Sequence, residues 1–249
     1  MICCRVTSEY LILLTSAIFL VAFLYSSVGH AGASGYIAVM SLAGLAPATI
    51  KPVALTLNIV VALIGTYQFW RAGHFSWRLF WPFALLSIPL AFVGGYVNLP
   101  THLFKLLVGI VLLLSAVYFF VRAPASDAAN EPSRAVAIPT GGALGLLSGL
   151  TGTGGGIFLT PLMLFMHWAT VKRTAAVSAL FILVNSISGL AGNISSTRNF
   201  PAFALVLVVA VIVGGGLGSY LGSRRFEPVA IKRLLAIVLL IAGCKLILT

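Results

Sequence analysis

Two glycine-rich segments carry the residues of this sequence that are best suited to bind a small polar ligand. Residues 29–35 read Gly-His-Ala-Gly-Ala-Ser-Gly, and residues 152–156 read Gly-Thr-Gly-Gly-Gly. Each glycine costs a helix about 1 kcal/mol relative to alanine, so such clusters predict helix breaks. A helix that begins after a break presents unpaired N–H groups and a partial positive charge, which suit an anion. An isolated glycine in a membrane helix more often serves close helix contact, but matched clusters favour a functional break.

The predicted binding set joins the residues of both breaks to polar side chains on the helices that follow them. It comprises Gly29, His30, Gly32, Ser34, Gly35, Thr56, Asn58, Gly152, Thr153, Gly154, Gly155, Gly156, Ser178 and Asn185. Hydroxyl and amide groups can donate hydrogen bonds to an oxyanion, and equally can join membrane helices. Histidine titrates near neutral pH, so His30 is predicted to contact the anion or carry a coupling proton, or else to cap exposed backbone.

The composition places these segments in a membrane. Of the 249 residues, 60% are hydrophobic and only 8% are charged, and the mean hydropathy is +1.12. A soluble domain carries roughly 25% charged residues, so soluble, disordered and disulfide-rich secreted classes are excluded. The net charge is +11. The basic residues lie singly or in pairs between apolar runs, which is typical of orientation signals in a lipid bilayer and not of nucleic-acid binding.

Long apolar stretches predict an all-α integral membrane protein. A membrane-spanning helix needs roughly 20 apolar residues. Seven stretches approach or reach that length, at residues 10–28, 52–70, 78–97, 104–121, 173–192, 202–222 and 231–248. Three others are shorter and lie beside the glycine clusters, at residues 35–46, 136–151 and 157–168. We therefore expect short helices at the breaks, either as re-entrant hairpins or as short full spans.

A polar segment at residues 122–135 divides the chain into two halves, 1–121 and 136–249. Three short matches recur in the same order in both halves. They pair residues 48–51 with 169–172, 94–96 with 218–220, and 105–107 with 233–235. The sequence therefore predicts two membrane repeats, each with about four spans plus one glycine-broken short segment.

The basic residues predict that the two repeats are inverted. With an odd number of elements in each half, ten basic residues fall on one side, namely Arg71, Arg78, Arg122, Arg134, Lys172, Arg173, Arg224, Arg225, Lys232 and Arg233. The other side then holds only Lys51, Lys105 and Arg198. Parallel repeats would distribute these charges more evenly. Because cytoplasmic loops are rich in Lys and Arg, the polar linker is expected in the cytoplasm and both termini outside.

The acidic residues narrow the class of substrate. All four lie outside the predicted spans, at Glu9, Asp127, Glu131 and Glu227. Divalent cations prefer carboxylate ligands, so the absence of carboxylates from the predicted spans favours an anion or a neutral solute as substrate. The coupling ion would be a proton or a sodium ion. Neither a nucleotide-binding loop nor a nucleophile with its base is evident, so we expect no cofactor and no enzyme activity. The alternative is a membrane-embedded accessory subunit or enzyme without transport activity of its own.

Two lysines occupy matching positions in the first of the repeated motifs. Lys51 ends Ala-Thr-Ile-Lys at residues 48–51, and Lys172 ends Ala-Thr-Val-Lys at residues 169–172. At the mouth of a span such a lysine either attracts anions or extends its ammonium to the membrane surface as an anchor. We favour the surface anchor for both.

The paired glycine motifs resemble those of the TauE/SafE family of membrane transporters over nearly the whole chain. Residues 161–164 (Pro-Leu-Met-Leu) and 175–178 (Ala-Ala-Val-Ser) resemble the segments that follow the motif in that family. The first half departs from the pattern, with His30 and Ala31 between the glycines and with Thr56 and Asn58 near the serine position. The resemblance implies a secondary transporter in the bacterial cytoplasmic membrane that exports or takes up small sulfur-containing anions such as sulfite or sulfonates.

Overall fold

The computed structural model describes residues 8–27, 31–120, 130–197, 201 and 203–222, together with residues 237, 240, 241, 243, 244, 247 and 248. Within these ranges every regular element is a helix, which confirms the predicted all-helical class. The helices are α1 (Ser8–Ser27), α2 (Ala33–Leu42), α3 (Pro47–Arg71), α4 (Trp77–Tyr96), α5 (Thr101–Phe120), α6 (Arg134–Thr151), α7 (Gly156–Phe165), α8 (Val171–Thr197) and α9 (Ala204–Gly222). The predicted span at 231–248 and most of the linker at 122–135 lie outside the described residues.

Helix length separates the spans from the elements at the breaks. By length and composition, three helices in the described part can cross a membrane: α3, α4 and residues Lys172–Thr197 of α8. The helices α2 and α7 have 10 residues each, which gives about 15 Å against roughly 30 Å of hydrocarbon. Both are therefore short, as the sequence predicts. The segment predicted as short at 136–151 belongs to α6, which begins at Arg134 and has 18 residues.

A row of glycines brings α6 into backbone contact with α4. Gly141, Gly145 and Gly149 of α6 lie directly against the backbone of Phe83, Ser87 and Ala91 of α4, respectively. A side chain at any of the three would meet a carbonyl oxygen. Because both series rise by four residues per contact, the two helices run parallel and share one face over two turns.

Similar contacts fix the direction of other helix pairs. On α8, Ser188 donates to the carbonyl oxygen of Ile88 and Gly192 lies on the backbone of Phe92, so α8 also runs parallel to α4. On α9, Gly214 and Gly218 lie on the backbone of α1 residues, and these two helices are parallel. The pair α3 and α8 is antiparallel, since Leu55 approaches Gly189 while Gly65 approaches Ala179.

Two apolar clusters form the core. The larger joins α1, α2, α3 and α9 with one face of α5 and with Ile182 and Leu183 of α8, around Tyr36, Leu57 and Leu207. The smaller joins α4, α6, α7 and α8, around Phe83 and Phe181. Each cluster mixes helices from both halves of the chain, because α4 contacts α6 and α8 while α9 contacts α1 and α3. The halves are therefore interlocked.

We expect Gly145→Ala to lower the thermal midpoint of the purified protein in detergent, because the new methyl group would meet the Ser87 carbonyl. Overpacking of this kind costs about 1–3 kcal/mol. Gly216→Ala is the matched control, since nothing lies within 4 Å of the added carbon. In a helix it gains up to about 1 kcal/mol of propensity. A midpoint for Gly145→Ala at or above that of Gly216→Ala would contradict the backbone contact.

Candidate functional site

The second glycine cluster is a helix break, as the sequence predicts. α6 ends at Thr151 and α7 begins at Gly156. Between them Gly152, Gly154 and Gly155 have φ angles of 77°, 74° and 81°. Residues with a side chain rarely adopt this left-handed conformation, so glycine is favoured at these three positions between the two helices.

The break leaves a run of backbone donors without acceptors. The N–H of Gly152 donates to the Ser148 carbonyl at 2.8 Å, and the first bond closing α7 is from Phe158 to the Gly155 carbonyl at 3.1 Å. Among the described residues, no acceptor bonds the amides of residues 153–157. The N-terminus of α7 therefore presents a cluster of free N–H groups at the positive end of a helix dipole.

Polar side chains from α3 and α8 meet at this break. Asn58 donates from Nδ2 to the Thr153 carbonyl at 3.1 Å. A Cβ atom on Gly154 would lie 2.7 Å from both Asn58 Nδ2 and Ser186 Oγ. Both side chains are fully buried, and Asn58 Oδ1 and Ser186 Oγ have no partner in the described structure. An unpaired buried polar group costs about 1–3 kcal/mol, so these atoms indicate a place for a ligand or water.

Two further buried polar atoms belong to residues that flank these groups along the chain. Ser148, one turn before Gly152, has an unpartnered Oγ, and its Cβ lies 3.3 Å from the Cβ position of Gly155. Asn185 donates from Nδ2 to the Phe181 carbonyl at 2.8 Å, while its Oδ1 has no partner among the described residues. We define the break site as the amides of residues 153–157 with Asn58, Ser148 and Ser186.

The first break is described only in part, because Gly29 and His30 lie outside the described residues. Gly32 has a φ of 91° and caps α2, as Gly155 caps α7. The Tyr36 ring covers it, with Oη 2.9 Å from the Cβ position, and this buried hydroxyl has no partner in the described structure. Ser34 is hydrogen-bonded to Tyr25 at 2.8 Å. Gly35 packs against α1 through Val21 and Tyr25, so close helix contact explains it.

The structure places the remaining predicted site residues in internal contacts. Thr56 donates to the Pro52 carbonyl within α3 at 2.8 Å. Ser178 accepts a hydrogen bond from Thr160 of α7 at 2.9 Å. The backbone of Ser178 lies beside Gly156, which packs against Ile182. Of the polar side chains predicted on the spans, Asn58 therefore reaches the break site directly, and Asn185 directly precedes Ser186 on α8.

Sequence reasoning missed Ser148 and Ser186. Serine is common in membrane helices, and neither residue lies in a motif. Ser186 is marked only by its neighbour Asn185 and by its spacing of eight residues from Ser178 on α8, which places both on one face of a helix. That spacing is informative only when the face of α8 that meets α3 is known.

The surface-anchor interpretation of Lys51 is wrong. The side chain is 4% exposed and donates to the carbonyl oxygens of Gly94, Gly95 and Val97 at 2.9, 2.9 and 3.0 Å. These are carbonyls that the C-terminal end of α4 leaves free. Lys172 is exposed, as an anchor would be. Lys51 is the fifth residue of α3 and Lys172 the second of α8, so the two motif copies do not occupy equivalent positions.

Apolar helices of spanning length, packed around short helices with glycine caps, define a multi-pass helical membrane protein. Comparison with known proteins assigns the chain to a family. The family model of the sulfite exporter TauE/SafE matches residues 14–246. The chain belongs to this family, which confirms the resemblance of its glycine motifs.

Curated relatives cover almost the full length. "Probable membrane transporter protein y4hK" of Sinorhizobium fredii is 40% identical over 239 residues, covering 94% of this chain and 97% of the relative. "Probable membrane transporter protein YjnA" of Bacillus subtilis is 26% identical over 246 residues, covering 91% and 96%. "Probable membrane transporter protein YdhB" of the same organism is 25% identical over 251 residues, covering 94% and 99%. No solved structure matches the chain.

We expect Gly154→Ala to destabilise the protein by about 2 kcal/mol more than Gly44→Ala. Both glycines have left-handed φ angles, 74° and 78°, so both substitutions carry a backbone cost of about 1–2 kcal/mol. Only at Gly154 does the added carbon meet other atoms, those of Asn58, Ser186 and Ile182, and overpacking adds about 1–3 kcal/mol. Unfolding titrations in mixed detergent micelles measure the difference. Equal losses would show that the break site has room for a side chain.

Proposed function

We propose that this protein is a secondary transporter for small sulfur-containing anions such as sulfite or sulfonates, and that the break site binds the anion. One observation carries the proposal. The amides of residues 153–157 have no acceptor among the described residues, and the buried hydroxyls of Ser148 and Ser186 beside them have no partner there. Together they form a set of donors that lacks acceptors, which is the chemical complement of an oxyanion.

The charges of the described residues support an anion over a cation. Glu131 is the only acid whose side chain the structure describes, and it pairs with Arg78 at 3.4 Å on the surface. No group of three or more His, Cys, Asp or Glu that could hold a metal ion occurs among the described residues. The family's description names sulfite, and a sulfur oxyanion has several oxygens that could accept from amides and hydroxyls at once.

Alternating access of two inverted repeats is the mechanism we propose. The helix lengths support it: 20, 10, 25 and 20 residues for α1 to α4, then 18, 10, 27 and 19 for α6 to α9. The helix contacts support it too. The corresponding helices α3 and α8 are antiparallel, as inversion requires. Gly94 of α4 packs on α6, and in the same way Gly218 of the corresponding helix α9 packs on α1. Rocking of the two halves about the α3 and α8 pair would open the break site to each side of the membrane in turn. The polar linker lies in the cytoplasm in this proposal. A proton or a sodium ion is the coupling ion.

Ser186→Ala is expected to reduce anion flux while leaving the protein as stable as before or more so. A hydrogen bond to a charged ligand contributes about 1.5–3 kcal/mol, which corresponds to roughly 10- to 100-fold in affinity. Because the hydroxyl has no partner in the described structure, its removal relieves a buried unpaired group. The measurement is sulfite and methanesulfonate uptake into proteoliposomes without nucleotide, beside a thermal midpoint.

Ser195→Ala is the control, since Ser195 is exposed and bonds the Ala191 carbonyl within its own helix. Anion flux in Ser186→Ala equal to that in Ser195→Ala would show that the anion does not bind at the break site. No flux of either anion through the native protein would refute the proposed function.

His30 provides a test of the coupling ion. We expect His30→Ala to abolish the pH dependence of methanesulfonate flux between about pH 5.5 and 8, the range in which histidine titrates while this substrate stays a monoanion. His102→Ala is the control, because His102 is exposed at the start of α5. A pH profile unchanged by His30→Ala would favour backbone capping as its role and a sodium ion as the coupling ion.

A further inference from the structure

Lys51 is a buried positive charge beside the break site. Its ammonium uses all three of its N–H groups on the carbonyls of Gly94, Gly95 and Val97. The aliphatic part of the side chain lies against the break, with Cγ 3.3 Å from the Cβ position of Gly152. The ammonium is thus held in place by α4, while the aliphatic part of the side chain contacts Gly152, the first residue of the break.

The charge of Lys51 is not neutralised by an acid in the described structure. The one described carboxylate, that of Glu131, bonds Arg78 on the surface. The C-terminal end of α4 supplies a partial charge of only about −0.5, so a net positive charge remains. Burying a charge away from water is costly. The three hydrogen bonds satisfy the ammonium but do not neutralise its charge, which therefore remains available to act on a nearby ligand.

A second buried polar group marks the same level of the α3 and α8 pair. Leu55 faces Gly189, so one turn further along, Lys51 on α3 and Asn193 on α8 lie at one level. Asn193 is 1% exposed, and neither its Nδ2 nor its Oδ1 has a partner among the described residues. The backbone positions of Lys51 and Asn58 are seven residues apart, which is about 10 Å along α3. Because the Lys51 side chain also contacts Gly152, the first residue of the break, its charge can act on the break site through a low-dielectric interior.

We propose that Lys51 determines the charge selectivity of the transporter, acting through space on an anion that it does not touch. This inference rests on the proposed function. Because its hydrogens are held by α4, Lys51 acts as a fixed charge whose effect depends on the charge of the ligand and not on its shape. The Coulomb energy between Lys51 and the ligand doubles from a monoanion to a dianion. When the charge is removed, the fold-loss of affinity for a dianion should therefore be the square of that for a monoanion.

The experiment uses three tetrahedral sulfur compounds that differ in charge: neutral dimethyl sulfone, the monoanion methanesulfonate and the dianion sulfate. Each competes against labelled sulfite uptake in proteoliposomes, and each is also tested for thermal stabilisation of the protein in detergent. Lys51→Gln keeps donors for the α4 carbonyls and removes the charge. We expect it to leave dimethyl sulfone unchanged and to weaken methanesulfonate about 10-fold and sulfate about 100-fold.

Two further variants separate charge from structure. Lys51→Arg keeps the charge and should restore methanesulfonate and sulfate to within about threefold of the native affinities. Lys172→Gln removes an exposed lysine and should change none of the three. An equal loss for all three compounds in Lys51→Gln would show a structural role and overturn the inference.

The native protein gives a test that does not depend on any variant folding. We expect the affinity of the native protein to rise in the order dimethyl sulfone, methanesulfonate, sulfate. An affinity for dimethyl sulfone equal to that for the two anions would overturn the inference. Anion flux in Lys51→Gln with native affinities would reject the role of Lys51 and leave the proposed function in place. A native protein that neither transports nor binds any anion would reject both.

Discussion

The need to satisfy every backbone polar group in a medium without water is the constraint on which this structure depends. A continuous helix meets it by itself, whereas a broken helix needs partners from elsewhere. At the second break Asn58 bonds the Thr153 carbonyl, and at the end of α4 Lys51 bonds three carbonyls. Both side chains come from α3. This helix therefore satisfies backbone groups at one helix end of its own half and at the break of the other half.

Glycine serves two separate purposes, and the structure distinguishes them. Gly145 and Gly149 lie inside α6, where the missing side chain lets α4 approach to backbone contact. Gly154 and Gly155 lie outside any helix, with left-handed φ angles that turn the chain between α6 and α7. The first kind anchors the elements that flank the break, and the second makes the break. A site that must hold its donors in fixed positions needs both, because unpaired amides orient a ligand only when the helix ends that carry them are rigid.

Much of the fold was predictable from hydropathy and glycine density, since the length of an apolar run and the position of a cluster are local properties. The helices and the short elements α2 and α7 follow from them. Lys51 was mispredicted because sequence shows that a lysine begins a span but not which helix end it faces. Ser148 and Ser186 were missed for a related reason. Their role depends on the register between α3 and α8, which contacts such as Leu55 with Gly189 establish and which no local pattern encodes. Gly35 was predicted as a ligand-binding residue, but its contacts are those of close helix packing.

The two breaks share a backbone design and differ in side chains. Gly32 and Gly155 both cap a helix of 10 residues in the left-handed conformation. One residue beyond each C-cap, Gly44 and His167 have positive φ angles as well. Around the second break lie a buried amide and two buried hydroxyls without partners in the described structure. In the described part of the first, from residue 31 onward, Ser34 is bonded to Tyr25, but the Tyr36 ring that covers Gly32 carries a buried Oη without a partner in the described structure. The amides of residues 33–35 likewise have no acceptor among the described residues. Each break therefore carries polar groups without partners, one through a phenol and the other through an amide and two serines, and a single anion bound between the two helix N-termini would complement both.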